Sequence, residues 1–235
     1  MDIASGLTLV ATATSAGSIE PIIDAVELLY LNIDRETAAF SAAAGIVCPE
    51  GCGRCCLSET VEASVLELMP MARALFRSGL IDLWVDAIFA APSSGPCSVF
   101  EMDAATRGNG RCRLYGWRPL ICRMFGFATR RDKNGNPAFR ACREIDALRP
   151  ATASAAVAAV VGGLPVPLFA SYHLQVASLH TSLGSPLMPI NKAFQQAVNR
   201  YGLLFQMTSA AAAMDTPQDD PHRGPEGRVP PRLAA

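Results

Sequence analysis

The residues of this chain that could do chemistry are its eight cysteines, which all lie between positions 48 and 142. Four of them fall within nine residues, in the run Cys48-Pro-Glu-Gly-Cys52-Gly-Arg-Cys55-Cys56. Closely spaced cysteines suit a metal ion because a tight backbone turn can direct two thiolates to one point. With only three histidines in 235 residues, a metal in this region must be held mainly by sulfur. Sulfur ligands favour zinc, iron–sulfur clusters or copper(I).

The spacing within this run predicts more than one thiol environment. Cys52 and Cys55 are separated by two residues, as in many zinc sites. Cys55 and Cys56 are adjacent, and consecutive side chains diverge in helices and strands. Both sulfurs could reach one ion only through an unusual turn. Two neighbouring metals, or one metal with a free or bridging thiol, are easier arrangements, so we expect one or two centres.

Composition limits the partners that this chain could have. The net charge of -1 and the pI of about 6.3 argue against a whole-protein commitment to nucleic acid or to an anionic membrane. The alanine-rich segment 151–161 is too short to span a bilayer, which takes about 20 apolar residues. We therefore expect metal ions as partners, no membrane and no nucleic acid, with a protein partner left open.

The first residues lack the basic start and the continuous apolar run of a secretory signal. This predicts a cytoplasmic protein, in which a reducing environment disfavours structural disulfides. Clustered cysteines in that compartment more often bind metal or take part in catalysis. A disulfide framework is therefore the weaker interpretation of the eight cysteines.

Arginines accompany the cysteines along the chain, and twelve of them lie between Arg54 and Arg143. Eight thiolates around two divalent ions would leave a net negative charge, which guanidinium groups near the sulfurs would offset. A solvated basic face explains the same arginines equally well. Tyr115, Arg118 and Arg123 flank Cys122 and are the candidate contacts of the cofactor.

The run from Gly110 to Phe125, which contains Tyr115-Gly-Trp-Arg-Pro-Leu-Ile-Cys122-Arg-Met-Phe, forms a signature together with the four-cysteine run and with Pro96-Cys97. These motifs resemble the YkgJ-type cysteine-cluster family, described as zinc- or iron-chelating proteins. The resemblance covers roughly residues 45–145 and implies no defined reaction, so catalytic residues stay unassigned. A flagellin lysine methylase has a similar-looking cysteine set. The resemblance implies a chelating set of Cys48, Cys52, Cys55, Cys56, Cys97, Cys112, Cys122 and Cys142.

Other functions stay open beside simple metal binding. The spacing of Cys48, Cys52 and Cys55 also resembles that of radical S-adenosylmethionine enzymes, although the sequence after Cys56 lacks the strand–helix alternation of their α/β barrels. Ferredoxin spacings are not met. The prediction is a protein that holds zinc or an iron or iron–sulfur centre through thiolates. The alternatives are an iron–sulfur enzyme, radical S-adenosylmethionine-like or related to a protein methylase, and a zinc-stabilised interaction module.

Helices should position the cysteines from both sides. Apolar residues recur at helical spacing over 18–44, and Gly45 follows as a stop signal. Ser64-Val-Leu-Glu67 predicts a capping box at the start of a second helix, which Pro70 could kink or restart. A last helix is predicted over 191–214 and is expected to pack against the first.

Between these helices the pattern predicts small β-hairpins and a short helix. Segments 97–100 and 111–115 read as one hairpin with a cysteine on each arm, and Asn134-Gly135 marks a second hairpin. Pro119 suits the first turn of a short helix that carries Cys122. Cysteines from loops, strands and a helix could thus surround a metal.

The predicted fold class is α+β and mainly helical, with a small hairpin-containing cysteine cage flanked by N- and C-terminal helices. We expect a single domain over 18–215, with a cysteine core at 45–145 and C-terminal helices at 151–214. Residues 1–17 are predicted to be a flexible N-terminus. Residues 216–235 hold five prolines and few apolar residues, which predicts a disordered tail.

Overall fold

The computed structural model describes residues 18–106, 108–127 and 129–214. The predicted flexible N-terminus and disordered tail lie outside these residues. Within them the fold is mainly helical, and its short strands form only two-stranded antiparallel sheets, which confirms the predicted α+β class. The helices are α1 Glu20–Ala44, α2 Val65–Arg77, α3 Ile81–Ala90, α4 Leu120–Met124, α5 Arg143–Leu148, α6 Pro150–Val161, α7 Phe169–Leu179, α8 Thr181–Gly184 and α9 Ile190–Met214. The strands are β1 Glu62–Ala63, β2 Phe100–Met102, β3 Gly110–Cys112, β4 Thr129–Arg131, β5 Pro137–Phe139 and β6 Met188–Pro189.

Helices α1, α2 and α9 form what we call the helical scaffold. α1 begins and ends close to the predicted positions, and Gly45 closes it in the left-handed conformation with φ of 66°, which glycine adopts without strain. The residues that α1 buries recur every three or four positions, as a core-facing stripe requires. They are Ile23, Val26, Tyr30, Ile33, Thr37 and Phe40.

The start of α2 has the predicted capping box. The Glu67 N–H donates to Ser64 Oγ at 3.3 Å, and the Ser64 N–H donates to Glu67 Oε1 at 3.0 Å. Pro70 does not end or restart the helix, which continues to Arg77. The backbone at the start of this helix is thus fixed, in a segment that is almost entirely buried.

The expected partner of α9 is wrong in one respect. α9 packs most extensively against α2, whereas the sequence suggested α1. It reaches α1 through Tyr201, whose hydroxyl donates to Glu20 Oε1 at 2.8 Å. The short β1–β6 pair, with Ala63 opposite Met188, holds the first turns of α2 and α9 side by side. This pair joins residues more than a hundred positions apart, which local sequence patterns do not indicate.

A buried arginine links α1 to α2 in the scaffold. The Arg73 guanidinium is 6% exposed and contacts three carboxylates of α1. Its Nη1 lies 3.0 Å from Glu20 Oε2 and 2.6 Å from Asp24 Oδ1, and its Nη2 lies 2.7 Å from Glu27 Oε2. The carboxylates keep contact with water while the guanidinium is covered, so α1 supplies the charge that burial of the guanidinium requires.

Both predicted hairpins are present in the region that we call the cysteine cage, residues 47–61 and 92–143. β2 pairs with β3, and Phe100 lies opposite Cys112. Cys97 precedes its strand by three residues instead of lying within it. β4 pairs with β5 around a turn that contains Asn134-Gly135. α4 follows Pro119 and carries Cys122, as predicted.

The described part of the chain has two clusters of buried apolar residues. The larger lies among α1, α2 and α9, and Cys97, Cys112 and Cys122 pack against its edge. The smaller lies beneath α6 and β5, and Cys142 packs against it. The cysteines therefore adjoin two different parts of the core.

Among the described residues, no helix is both long enough and apolar enough to cross a membrane.

Candidate metal centre

Five of the eight cysteines line one cavity between the cysteine cage and the helical scaffold. The cavity measures about 60 Å³, which is room for a few water molecules or a small inorganic group. The rest of the lining is mainly apolar and includes Leu68 and Met71 of α2 and Ile190 and Phe194 of α9. We call the five cysteines that line the cavity the inner group, and they are Cys55, Cys56, Cys97, Cys112 and Cys122.

Short-range backbone bonds bring the adjacent cysteines to this cavity. The Cys56 N–H donates to the Gly53 carbonyl at 3.0 Å, which closes a turn around Cys55. A side chain at Gly53 would overlap the Phe100 ring, so this close approach requires glycine. Side chains of adjacent residues diverge in helices and strands, but this turn lets both Cys55 and Cys56 line the same cavity.

The other inner cysteines are held by neighbouring backbone. The Cys97 N–H donates to the Cys56 carbonyl at 2.8 Å, which joins two distant parts of the chain. Cys112 is the last residue of β3. The Cys122 N–H donates to the Pro119 carbonyl at 3.0 Å in the first turn of α4. A loop, a strand end and a short helix therefore each supply a thiol.

Burial and mutual repulsion shape the acidity of the inner thiols. Interaction with the adjacent Cys56 thiol lowers the pKa of Cys55 to about 7, and the same interaction raises the pKa of Cys56. Burial raises the pKa of Cys97 to about 11 and also raises the pKa of Cys122 well above its usual range. Neighbouring cysteine charges act in the same direction on both residues. Several thiolates at this wall would therefore need a positive charge beside them.

The donor atoms of the cavity are of the kind that a thiophilic metal prefers, although the sulfur atoms are not arranged around one point. Among the described residues, no three His, Cys, Asp or Glu side chains stand close enough together to hold a metal ion. The described residues that line the cavity supply thiols as donors and include no His, Asp or Glu. A wall of this composition fits zinc or iron better than a hard cation such as magnesium or calcium.

The remaining three cysteines lie away from the cavity wall, and we call them the outer group. Cys48 is exposed, and burial of part of its side chain raises its pKa to about 11, with contributions from Cys52 and Cys142. Cys142 packs against the smaller core, beside Gly126. Cys52 forms an isolated backbone bridge with Asn109. The eight predicted ligands thus separate into an inner five and an outer three.

Two of the three candidate cofactor contacts lie on the cavity wall. The Arg118 guanidinium stacks 3.9 Å from the centre of the Tyr115 ring, and both residues line the cavity. The Arg118 Nη2 also lies 3.3 Å from Asp34 Oδ1 of α1. Burial raises the pKa of Cys112, and the nearby positive charge of Arg118 partly opposes this rise. The same charge adds to the lowering of the Cys55 pKa, which is due chiefly to Cys56.

Arg123 lies behind the cavity wall and braces it. Its Nε donates to the Arg118 carbonyl at 2.8 Å, and its Nη2 donates to the Gly116 carbonyl at 2.6 Å. Its Nη1 donates to Asp34 Oδ2, and its guanidinium stacks 4.4 Å from the centre of the Tyr30 ring. Arg123 therefore fixes the segment that carries Arg118 instead of facing the thiols.

Other arginines near cysteines face solvent. Arg111 and Arg113 both contact Glu101 at 2.9 Å, and Arg54 lies 3.8 Å from Glu144. Exposed pairs of this kind contribute little to stability. For these arginines the solvated basic face describes the structure better than a contact with metal-bound sulfur.

Residues of α9 on the cavity wall could not be identified from the sequence as site residues. Ile190, Asn191 and Phe194 line the cavity although they follow the last cysteine by about fifty residues. Helical spacing marks Phe194 as core-facing, but it does not show which core it meets. The polar Asn191 carries no such signal.

One comparison with known proteins finds a match over the cysteine cage. Residues 47–143 match the family model named for its CxxCxxCC motif and described as a "Putative zinc- or iron-chelating domain". No curated protein and no solved structure matches the chain. The match supports zinc or iron over copper(I), while the YkgJ-type name stays a prediction. The segment that contains all eight cysteines is thus similar to a zinc- or iron-chelating domain, and α1 and α9 lie outside it.

Proposed function

We propose that this protein holds a zinc or iron centre in the cavity, bound by thiolates of the inner group. The proposal is carried by one observation, that five cysteines line the same mainly apolar cavity. A buried wall of thiols without a cation would be costly if several ionised, and a bound divalent ion removes that cost. The match of residues 47–143 to a zinc- or iron-chelating domain supports the same metals.

The number of thiols favours more than one ion or a cluster. A structural zinc ion takes four ligands, and the inner group offers five cysteines at the wall. A fifth thiol can bridge two ions or stay free beside one. The outer group of Cys48, Cys52 and Cys142 would supply further ligands if a second centre forms near the surface.

Arg118 is proposed to balance the charge of the centre. Four thiolates and one divalent ion carry a net charge of about -2, which a buried site tolerates better with a cation nearby. Arg118 lies on the wall and is itself held by Tyr115 and Asp34. The same contacts would orient the guanidinium toward metal-bound sulfur, which in other metal sites tunes affinity and redox potential.

Purification without oxygen, followed by metal analysis and a visible spectrum, tests the proposal. We expect zinc or iron bound in a defined ratio to the wild-type chain. Cys122→Ser, in the inner group, should lose most of this metal. Cys142→Ser, in the outer group, is the matched control and should retain the inner centre. Wild-type metal content in Cys122→Ser, or no metal in the wild type, would contradict the proposal.

The metal that is found also separates the possible functions. Zinc without the visible absorption of an iron–sulfur cluster would favour a closed site that stabilises an interaction surface. Iron with that absorption would favour electron transfer, sensing or catalysis. Either result identifies the class of activity assay to be done next.

A further inference from the structure

Asn191, at the start of α9, is a buried polar residue on the wall of the thiol cavity. Its side chain is hydrogen-bonded to the residues on both sides of Cys97. The Ser98 N–H donates to Asn191 Oδ1 at 3.0 Å, and Asn191 Nδ2 donates to the Pro96 carbonyl at 3.0 Å. Nδ2 also donates to the Pro92 carbonyl at 2.9 Å. One side chain thus holds the residues immediately before and after a predicted metal ligand.

The hydrogen bonds of Asn191 leave it little capacity to bind metal itself. An asparagine amide has two N–H donors, and both are used here by the carbonyls of Pro92 and Pro96. Its oxygen already accepts from Ser98. Asn191 is therefore placed to act on the centre through Cys97, as residues behind a metal ligand do in other sites.

A second amide on the same face of α9 holds the same segment farther from the thiol. Gln195 lies one helical turn after Asn191, and its Nε2 donates to the Ile88 carbonyl at 2.9 Å and to the Ala91 carbonyl at 3.1 Å. These carbonyls belong to the end of α3, six or more residues before Cys97. The two amides therefore differ in whether they bond the neighbours of Cys97.

We infer that Asn191 is the positioning residue that fixes Cys97 at the cavity, so that α9 completes a centre whose thiols all come from residues 47–143. The inference rests on the proposed function of the cavity. Cys97 is held on one side by the Cys56 carbonyl and on the other by the Asn191 amide. Loss of the amide would remove the hydrogen bonds to Pro96 and Ser98, while the bond from the Cys97 N–H to the Cys56 carbonyl remained.

The test compares Asn191→Ala with Gln195→Ala as the matched control. The rate of Cys97 alkylation in the purified protein is followed by peptide mass spectrometry, beside metal content and helical circular dichroism. In Asn191→Ala we expect about 10–100-fold weaker metal binding and a similar increase in the Cys97 rate relative to Cys142. In Gln195→Ala the Cys97 rate should stay close to wild type, because the bonds around Cys97 are intact.

Asn191→Asp covers the case in which Asn191→Ala does not fold. Aspartate keeps the shape and the acceptor for the Ser98 N–H but loses at least one donated bond, so an intermediate Cys97 rate is expected. Equal Cys97 rates in wild type and both Asn191 variants, or equal increases in Gln195→Ala, would overturn the inference. A wild-type chain without metal would overturn the proposed function instead, since the alkylation ratios are measured independently of metal content.

Discussion

The helical scaffold and the cysteine cage differ in how their side chains are buried. In α2, ten of thirteen residues are buried. In the β2–β3 hairpin of the cage, no residue of either strand is fully buried. Removal of apolar surface from water contributes about 25 cal/mol per Å², so the scaffold has a large source of stability that this hairpin lacks. Because Cys112 ends β3, we expect the order of this hairpin to depend in part on a metal held by the thiols.

Removal of the metal should give the largest effect and should separate the two regions. A structural zinc site contributes about 10–16 kcal/mol of apparent binding free energy, which would be lost chiefly in the cage. With a strong chelator under reducing conditions, we expect backbone amides of residues 97–125 to exchange much faster with deuterium. Amides of α2 and α9 should keep most of their protection. Hydrogen exchange followed by mass spectrometry measures both regions in one sample.

Two results would break this comparison. Equal loss of protection in α2 and in the cage would mean that both regions fold as one unit that depends on the metal. Unchanged protection in both would mean that the cage is ordered by its own packing. The untreated protein, with its metal content determined, is the reference for each peptide.

The sequence predicted the scaffold better than the assembly of the site. The stripe of α1 and the capping box of Ser64 are local patterns, in which residues three or four apart decide the structure. The hairpins were also local, because a turn such as Asn134-Gly135 lies between its two strands. These features could be located before any contact between distant residues was known.

The wall of the cavity could not be predicted in the same way. The division of the cysteines into an inner five and an outer three depends on tertiary contacts, such as the bond from the Cys97 N–H to the Cys56 carbonyl. The role of Asn191 depends on contacts with Pro92, Pro96 and Ser98, more than ninety residues away. Spacing along the chain does not encode these distances. The sequence therefore predicts which atoms could bind a metal, while the surfaces around them depend on tertiary contacts.

A leucine in the scaffold core tests whether the stability of the scaffold can be lowered without loss of metal from the cage. Leu75 of α2 is 1% exposed, does not line the thiol cavity and belongs to the larger core. Leu75→Ala should lower the free energy of unfolding by about 2–5 kcal/mol, because it removes buried methyl groups and leaves a cavity. At room temperature its metal content should remain that of the wild type. Denaturant unfolding and metal analysis give the two quantities.

Leu83→Ala is the matched control for this prediction. Leu83 lies on α3 and is 76% exposed, so its truncation should change the free energy of unfolding by less than about 0.5 kcal/mol. A loss of metal from folded Leu75→Ala would contradict the separation of the two regions, since it would make the centre depend on packing of a scaffold residue that does not line the thiol cavity.

The two buried arginines provide the smallest and most specific test, one in each region. Arg123→Met leaves the carbonyls of Arg118 and Gly116 without the donor that held them, which should cost about 1–3 kcal/mol and speed metal loss to a chelator. Arg73→Met removes the buried cation from three carboxylates that keep contact with water, so a cost of about 1–3 kcal/mol is expected, with no change in metal loss. Thermal unfolding and the rate of metal release to a coloured chelator measure the two effects. The two guanidinium groups are about equally buried, so burial alone cannot explain a difference between the variants. Faster metal loss in Arg123→Met alone would follow from the position of Arg123 behind Arg118. Equal rates of metal loss in the two variants would contradict a specific role of Arg123 in holding the cavity wall.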